Sequence, residues 1–287
     1  MHECVLYKKL EDKKVQCLAC AHKCLISDDK TGICGVRKNS NGKLYLLVYG
    51  KVAAKHVDPI EKKPLYHFLP GTYAYSIGTV GCNFRCLWCQ NFEISQASKQ
   101  EKIFGQSITP EKIVEEALKT GCKSIAYTYN EPAIFMEFVC DVAKLAKKKG
   151  LKNVLVTNGY FSKESFDYIS DLIDAMNIDF KSFSDENYKE YCGGKLKPVL
   201  DTIKRAHEKK IHLELTTLIV PGVNDSEREL EKIAKFIAGI DKNIPWHISR
   251  FFPMYKMLDK PVTSISTLEK AYKIGKKYLK NVYMGNV

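Results

Sequence analysis

The chain has 287 residues, of which 45% are hydrophobic and 27% are charged, as expected for a globular protein of one large α/β domain or two smaller ones. These values exclude a disordered or fibrous protein, and no apolar run approaches the roughly 20 residues that cross a bilayer. Lysine and arginine number 45 against 33 aspartates and glutamates, which is compatible with nucleic acid, an anionic surface or an acidic partner. Because the basic residues lie largely on predicted helix faces and no nucleic-acid-binding motif accompanies them, we interpret them as solvated.

The amino terminus runs directly into charged residues, without an apolar signal region or a small-residue cleavage site, and this predicts a cytoplasmic protein. Eleven cysteines in such a protein indicate metal-binding thiolates rather than disulfides. Seven of them form two groups, described below. The remaining four are scattered singly and are predicted to be buried as small hydrophobic residues: Cys4, Cys122, Cys140 and Cys192.

The first cysteine group lies in an amino-terminal segment, residues 1–70, with the spacing C-x2-C-x3-C-x9-C. We expect this segment to bind a metal, because it has too few apolar residues to fold alone and metal binding would be coupled to folding. Zinc is the preferred ion, since four thiolates complete its tetrahedron, and a second 4Fe-4S cluster is the alternative. The expected ligands are Cys17, Cys20, Cys24 and Cys34.

Residues 71–287 alternate between short apolar strands and amphipathic helices in about seven periods. Strands are predicted at 73–80, 124–129, 153–157, 175–181, 212–220, 245–251 and 281–283. Helices are predicted at 109–120, 133–149, 162–170, 197–209, 226–238 and 266–279. This alternation predicts parallel strand pairing and a full or partial βα barrel. A doubly wound sheet is the alternative, but no glycine-rich phosphate loop follows the first strand.

The second cysteine group follows directly after the first predicted barrel strand, in residues 81–91, and has the spacing C-x3-C-x2-C. Three thiolates on one loop can bind three irons of a cubane and leave the fourth iron open to a small molecule. A structural zinc site would need a fourth ligand. Cys82, Cys86 and Cys89 are therefore predicted to hold a 4Fe-4S cluster.

These residues resemble the radical SAM superfamily, in which such a cluster binds S-adenosylmethionine. Trp88 before the last cysteine and the following Gln90-Asn91 are similar to the pyruvate formate-lyase activating enzymes. The upstream cysteines, with GICGVR at residues 32–37 and DPIEKKPLYHFLPG at residues 58–71, resemble the AmmeMemoRadiSam-system radical SAM enzymes. The resemblance covers nearly the whole chain. It implies an α/β fold, with a partial (β/α)6-type radical SAM barrel in residues 71–287 after the small cysteine-rich segment.

The resemblance also implies an activity, namely reductive cleavage of S-adenosylmethionine at the cluster to a 5′-deoxyadenosyl radical that abstracts hydrogen. It implies an electron donor such as flavodoxin or ferredoxin, and no membrane association. One substrate hypothesis is activation of a partner enzyme at a glycine, and the other is modification of a small molecule or peptide. A deep closed barrel would favour a small substrate, and an open lateral groove would favour a glycyl loop. A cysteine-rich nucleic-acid-binding protein is the third alternative.

Cofactor-binding residues are expected at successive strand ends, because that face of a βα barrel carries the chemistry. Asn130 and Glu131 follow the second strand, in the place of the family motif that contacts the methionine amino group, and the alternative role is a helix cap. Asn158 follows the third strand and is assigned to the ribose or carboxylate, with a simple Asn-Gly turn as the alternative.

Two opposite charges end the fourth strand, where Asp179 and Lys181 share one face. They resemble the pair that binds the ribose hydroxyls and the methionine carboxylate in the activating enzymes, and a structural ion pair is the alternative. His247 on the sixth strand is assigned to adenine or substrate, although a single buried histidine is more often structural.

Overall fold

The computed structural model describes residues 2–287 and contains sixteen strands and eight α-helices in that range. The strands are β1 (His2–Glu3), β2 (Tyr7–Lys9), β3 (Val15–Cys17), β4 (Leu25–Ile26), β5 (Arg37–Ser40), β6 (Lys43–Leu46), β7 (Lys51–Val52), β8 (Ala54–Pro59), β9 (Tyr73–Gly78), β10 (Gln106–Ser107), β11 (Ser124–Tyr127), β12 (Lys152–Thr157), β13 (Ala175–Asp179), β14 (His212–Ile219), β15 (Trp246–Arg250) and β16 (Val282–Gly285). The helices are α1 (Phe92–Ser95), α2 (Pro110–Lys119), α3 (Met136–Lys148), α4 (Lys163–Ile169), α5 (Asp185–Asn187), α6 (Leu196–Glu208), α7 (Glu227–Ile240) and α8 (Ile265–Lys276). None of the helices described in residues 2–287 has the length and apolar character that a membrane span requires.

The central sheet has eight strands in the order β16-β15-β14-β13-β12-β11-β9-β8. Every neighbouring pair is parallel except β8 and β9, which are antiparallel. The helices α2, α3, α4, α6, α7 and α8 connect successive parallel strands, because parallel pairing requires a crossover connection. The predicted α/β class with a central parallel sheet is confirmed.

Local sequence signals explain where these helices begin. The Thr109 hydroxyl accepts a hydrogen bond from the Lys112 amide at 3.3 Å, with Pro110 in the first turn of α2. Ser162 and Ser165 form a reciprocal capping box at the start of α4. The apolar face of each helix packs on the sheet, and each fully buried Leu or Ile side chain stabilises the fold by about 1.5–3 kcal/mol.

The stretch after β8, residues 60–68, lies on the inner face of the sheet and is called here the inner-face segment. Its side chains Ile60, Leu65 and Phe68 form a second apolar cluster with one residue from each of four neighbouring strands, Ala74, Ala126, Val154 and Ala175. The expected boundary at residue 70 therefore follows directly after a stretch that packs against the barrel sheet.

The sheet does not close into a complete barrel, because β8 and β16 are its edges. The inner-face segment crosses from one edge to the other: the His67 ring nitrogen Nε2 lies 2.6 Å from the Tyr283 hydroxyl on β16. The barrel is thus neither a deep closed one nor one with an unobstructed lateral groove.

The cysteine-rich region is present as two small sheets, β1-β6-β5 and β2-β3-β4, and its strand β7 pairs with β10 from the later part of the chain. A buried ion pair joins it to α3, where the Arg37 Nη1 donates to the Glu137 Oε1 at 3.0 Å. Both side chains are almost inaccessible to solvent. Removing either partner would leave an uncompensated buried charge, which costs about 3–5 kcal/mol.

Candidate active site at the carboxyl ends of the strands

The loop after β9, residues 81–91 and called here the cysteine loop, carries the second cysteine group at one wall of a cavity of about 350 Å³. Cys82 and Cys86 are buried and Cys89 is half-buried. The Phe84 amide donates to the Cys82 sulfur at 3.3 Å, and the Cys89 sulfur lies 3.2 Å from the Ser95 hydroxyl. Burial raises the pKa of Cys82 and Cys89, so an uncharged thiol is favoured there unless a positive ligand is bound.

The cysteine loop is held by side chains from the next two strand ends. The Asn130 amide donates to the Gly81 carbonyl at 2.9 Å and to the Thr79 hydroxyl at 3.0 Å. The Asn158 side-chain amide donates to the Asn83 Oδ1 at 2.7 Å. Asn130 and Asn158 also line the cavity, so the structure brings both predicted residues to the cysteines.

A short π-helix, Tyr188–Cys192, supports the loop from the other side. The Arg85 amide donates to the Cys192 carbonyl, and the Leu87 amide donates to the Tyr191 carbonyl, both at 2.9 Å. The buried Cys192 thiol hydrogen-bonds Cys86 and lowers the pKa of that thiol against the effect of burial. Sequence reasoning interpreted Cys192 only as a small hydrophobic residue and missed this position.

Asp179 and Lys181 line the same cavity. The Lys181 Nζ lies 3.1 Å from the Asp179 Oδ2, and the side chains are 13% and 40% exposed respectively. Burial opposes the positive charge of Lys181 most strongly, but Asp179 together with the nearby Cys86 and Cys192 outweighs it, so the pKa of the amine lies well above its ordinary range. A zwitterionic ligand would find both charge signs here.

Glu131 is not among the residues that line the cavity. Its carboxylate is fully buried and accepts hydrogen bonds from the Ala133 backbone amide at 3.0 Å, the Thr157 hydroxyl at 2.7 Å and the Asn158 backbone amide at 2.8 Å. It therefore caps the 3-10 helix that follows and positions Asn158, which is the alternative role expected from the sequence.

His247 is also not among the residues that line the cavity. Its Nε2 lies 2.6 Å from the Glu214 Oε2, and its ring stacks on Tyr283, away from the cavity lining. Glu214 also accepts from the Tyr66 and His67 backbone amides. The single histidine is thus part of a polar network that anchors the inner-face segment.

Several cavity-lining residues were not predicted from the sequence. The inner-face segment supplies Lys62 and Pro64, which no strand-end argument could place there. The remainder come from the cysteine loop, from α1 and from the ends of other strands: Phe84, Trp88, Gln90, Asn91, Ser95, Tyr129, Thr216, Leu218, Ser249 and Asn286. The motif DPIEKKP at residues 58–64 contains Lys62 and Pro64, but the motif alone does not give them a position in the site.

Comparison with known proteins identifies the family. Residues 76–237 match the family model described as the radical SAM superfamily. This chain belongs to the radical SAM superfamily. A relative in Methanocaldococcus jannaschii, named only as an uncharacterized protein, is 45% identical over 289 residues, spanning 100% of this chain and 86% of the relative.

The radical SAM relatives include the pyruvate formate-lyase-activating enzyme of Clostridium pasteurianum, which is 24% identical over 70% of this chain and 88% of that enzyme. The structure of Streptococcus suis SuiB bound to S-adenosylmethionine matches with a TM-score of 0.57 at 11% identity, over 75% of this chain and 52% of that chain. This second likeness shows the fold alone. The predicted radical SAM membership, the similarity to activating enzymes and the enzyme assignment are confirmed.

The radical SAM superfamily uses a 4Fe-4S cluster and S-adenosylmethionine, and the donor set of the cysteine loop fits that cluster. Within residues 2–287, no three His, Cys, Asp or Glu side chains are close enough together to bind one metal ion. A cubane does not require such a convergence, because each thiolate binds a different iron. The three cysteines line one cavity from a single loop, as a cluster with one open iron needs.

Proposed function

We propose that Cys82, Cys86 and Cys89 hold the 4Fe-4S cluster and that S-adenosylmethionine is cleaved in the cavity beside them. When bound, the cluster supplies the electron that breaks the C5′–S bond of S-adenosylmethionine, giving methionine and the hydrogen-abstracting 5′-deoxyadenosyl radical. One observation carries this proposal: the three cysteines and the charged pair Asp179 and Lys181 line the same cavity of about 350 Å³.

The charged pair would bind the two polar ends of the cofactor. Lys181 donates to the methionine carboxylate and Asp179 accepts from the ribose hydroxyls, as the resemblance to the activating enzymes implies. Their mutual contact at 3.1 Å keeps both groups oriented before the ligand arrives. Asn130 and Asn158 hold the cysteine loop in this cavity, so they position the cluster ligands relative to the pair.

Buried aromatic side chains would protect the radical from solvent. Phe84 and Trp88 belong to the cysteine loop, line the cavity and are 1% and 5% exposed. Water excluded from the cavity cannot quench a radical or weaken the charged contacts.

The substrate proposed for this site is a glycine of a partner enzyme, as in activating enzymes. A cavity of about 350 Å³ is at the lower end of the range for one cofactor-sized ligand, and the inner-face segment occupies the space below it. A substrate would therefore reach the radical with a small projecting part, which a glycyl loop provides. Modification of a short peptide at its end is the second candidate, favoured by the same observation.

An external protein would deliver the electron, and flavodoxin or ferredoxin is the proposed donor. The chain carries an excess of 12 positive charges, which complements an acidic protein and accelerates encounter with it.

The first experiment tests the cluster and the cleavage together. Anaerobically reconstituted protein, reduced and supplied with S-adenosylmethionine, is expected to produce 5′-deoxyadenosine and methionine. Changing Cys82, Cys86 and Cys89 together to Ala should abolish both the broad visible absorption of the cluster and the cleavage. Cys122→Ala is the control, because this buried cysteine lies outside the cavity. Undiminished cleavage by the triple variant would overturn the proposal.

A second experiment separates the substrate candidates. The active protein is mixed with candidate partner enzymes or with peptides and metabolites, and electron paramagnetic resonance and mass spectrometry follow the product. A stable protein radical on a partner supports the activase function. Modified peptides or metabolites without a protein radical would replace it with the second candidate.

A further inference from the structure

The amino-terminal cysteine group lies around a second, much smaller cavity. Cys17, Cys20, Cys24 and Cys34 all line a space of about 10 Å³, although they come from separate turns of the chain. Three of these cysteines are buried and Cys24 is half-buried. Within residues 2–287 all of the cysteines are free thiols.

Backbone amides point at these sulfurs in a regular pattern. The amides of Ala19, His22 and Val36 hydrogen-bond the sulfurs of the cysteines two positions earlier. The cysteine loop repeats this arrangement, since the Phe84 amide donates to Cys82 two positions earlier. Amides arranged in this way stabilise thiolates, which are the form that binds metal.

A charged group also lies beside these sulfurs. The buried Arg37 guanidinium lines the same cavity, where it is paired with the Glu137 carboxylate. A cluster of buried thiols that only filled space would not need the aligned amides.

We propose that Cys17, Cys20, Cys24 and Cys34 bind a single zinc ion that braces the cysteine loop. The space between the sulfurs is about 10 Å³, near the smallest that holds one water molecule, so it suits one ion better than a cubane. The four sulfurs do not converge on one point in residues 2–287 as described, so binding one ion requires the cysteine side chains to rotate between staggered rotamers.

The bracing follows from contacts beside these cysteines. The His22 Nε2 lies 2.9 Å from the Asn83 carbonyl oxygen, next to Cys82. The Cys34 carbonyl accepts from the Ser98 hydroxyl at 2.7 Å, and a Cβ added at Gly81 would lie 2.9 Å from that same carbonyl oxygen. An ordered zinc site thus fixes the backbone against which the cysteine loop rests.

The test measures zinc in the full chain without depending on activity. The protein in which Cys82, Cys86 and Cys89 are all Ala, loaded with zinc, is expected to retain about one zinc per chain after dialysis. Adding Cys20→Ser and Cys34→Ser should remove that zinc, whereas adding Cys122→Ser should not. Equal zinc retention in all three proteins, or none in any of them, would overturn the proposal.

Cobalt loading keeps the proposal testable if the serine variant fails to fold. The same triple-Ala protein with Co²⁺ should develop the thiolate charge-transfer and d–d bands of a tetrahedral site. Stripping the metal should increase proteolysis before about residue 69 and lower cluster occupancy in the wild-type protein. Acquisition of iron and sulfide by the triple-Ala protein would instead assign a second cluster and overturn the single-ion site. This test can fail while cleavage of S-adenosylmethionine is intact, so it is separate from the proposed function.

Discussion

At the residue scale, substitutions of Asp179 and Lys181 distinguish a role in ligand binding from a role in structural support. Lys181→Met and Asp179→Asn should each weaken S-adenosylmethionine binding roughly tenfold or more, equivalent to about 1.4 kcal/mol. The melting temperature should change little, because a partly exposed pair contributes only about 0–1 kcal/mol. Calorimetric titration measures the affinity.

The matched control for this pair is Lys197→Met, which removes an exposed ion pair with Asp201 at 2.9 Å outside the cavity. It should bind the cofactor as the wild type does. If the two cavity variants also bind with unchanged affinity, the pair is only structural.

Glu131 gives a residue-scale prediction about pH. Burial raises its pKa from 4.5 to about 7. The folded protein therefore holds this proton more tightly than the unfolded chain does. As the pH rises from 4.5 through about 7, the free energy of unfolding falls by up to about 3 kcal/mol. Glu131→Gln should flatten that part of the profile, as measured by denaturant unfolding between about pH 5 and 8. The exposed Glu115→Gln should keep the wild-type slope, and an unchanged slope in Glu131→Gln would contradict the assignment.

At the scale of elements, the turn after the π-helix packs against the cysteine loop. Gly194, two residues after the end of the π-helix, faces the Phe84 ring. A Cβ at this position would collide with the Phe84 ring. Gly194→Ala should therefore destabilise the protein by about 1–3 kcal/mol and reduce the iron bound per chain. Iron analysis and thermal unfolding provide the measurements.

Gly239→Ala is the control for this prediction, since it lies in α7 with no atom within 4 Å of the added Cβ. Alanine there should be neutral or stabilise the helix by about 0.5–1 kcal/mol. Equal iron content and equal stability in the two variants would exclude the proposed clash.

The strands and helices of the barrel could be predicted because each carries its own periodicity and caps. The predicted strand 175–181 and helix 197–209 differ from Ala175–Asp179 and Leu196–Glu208 by two residues or fewer. The two- to four-residue strands before β8 could not be predicted, because they are too short to show alternation.

The candidate site was predictable where one loop or one strand carried the signal, as in the cysteine loop and the Asp179 and Lys181 pair. Lys62 and Cys192 could not be placed, because their approach depends on how distant segments pack. Glu131 and His247 are polar residues near strand ends, as a ligand site requires, but their side chains are hydrogen-bonded to buried partners. Glu131 accepts from the Asn158 backbone amide, and His247 contacts Glu214.

At the scale of the whole molecule, Glu214 joins three parts of the chain. It accepts hydrogen bonds from the Tyr66 and His67 amides and contacts His212 and His247 at 2.9 and 2.6 Å. Burial alone would raise its pKa, but these four partners lower it from 4.5 to about 2. Its stabilising effect is therefore complete above pH 4.5 and is lost as the pH falls towards 2.

Glu214→Gln should lower the free energy of unfolding at neutral pH by about 3 kcal/mol and remove this part of the acid dependence. Denaturant unfolding at neutral and acidic pH provides the comparison, with the exposed Glu227→Gln as control. A loss that stays the same at pH 7 and pH 2 would show that packing, and not the charge, is responsible.

The inner-face segment has a consequence for synthesis of the protein. Tyr66 hydrogen-bonds Glu214, which lies 148 residues later in the sequence, and His67 contacts Tyr283, which lies 216 residues later. Translation therefore releases Ile60, Leu65 and Phe68 from the ribosome long before the strands that anchor this segment exist. The nascent chain carries this apolar stretch uncovered until the strands β9 to β13 have emerged, and its polar anchors Glu214 and Tyr283 are synthesised later still. Native folding of this segment is therefore expected to be completed late.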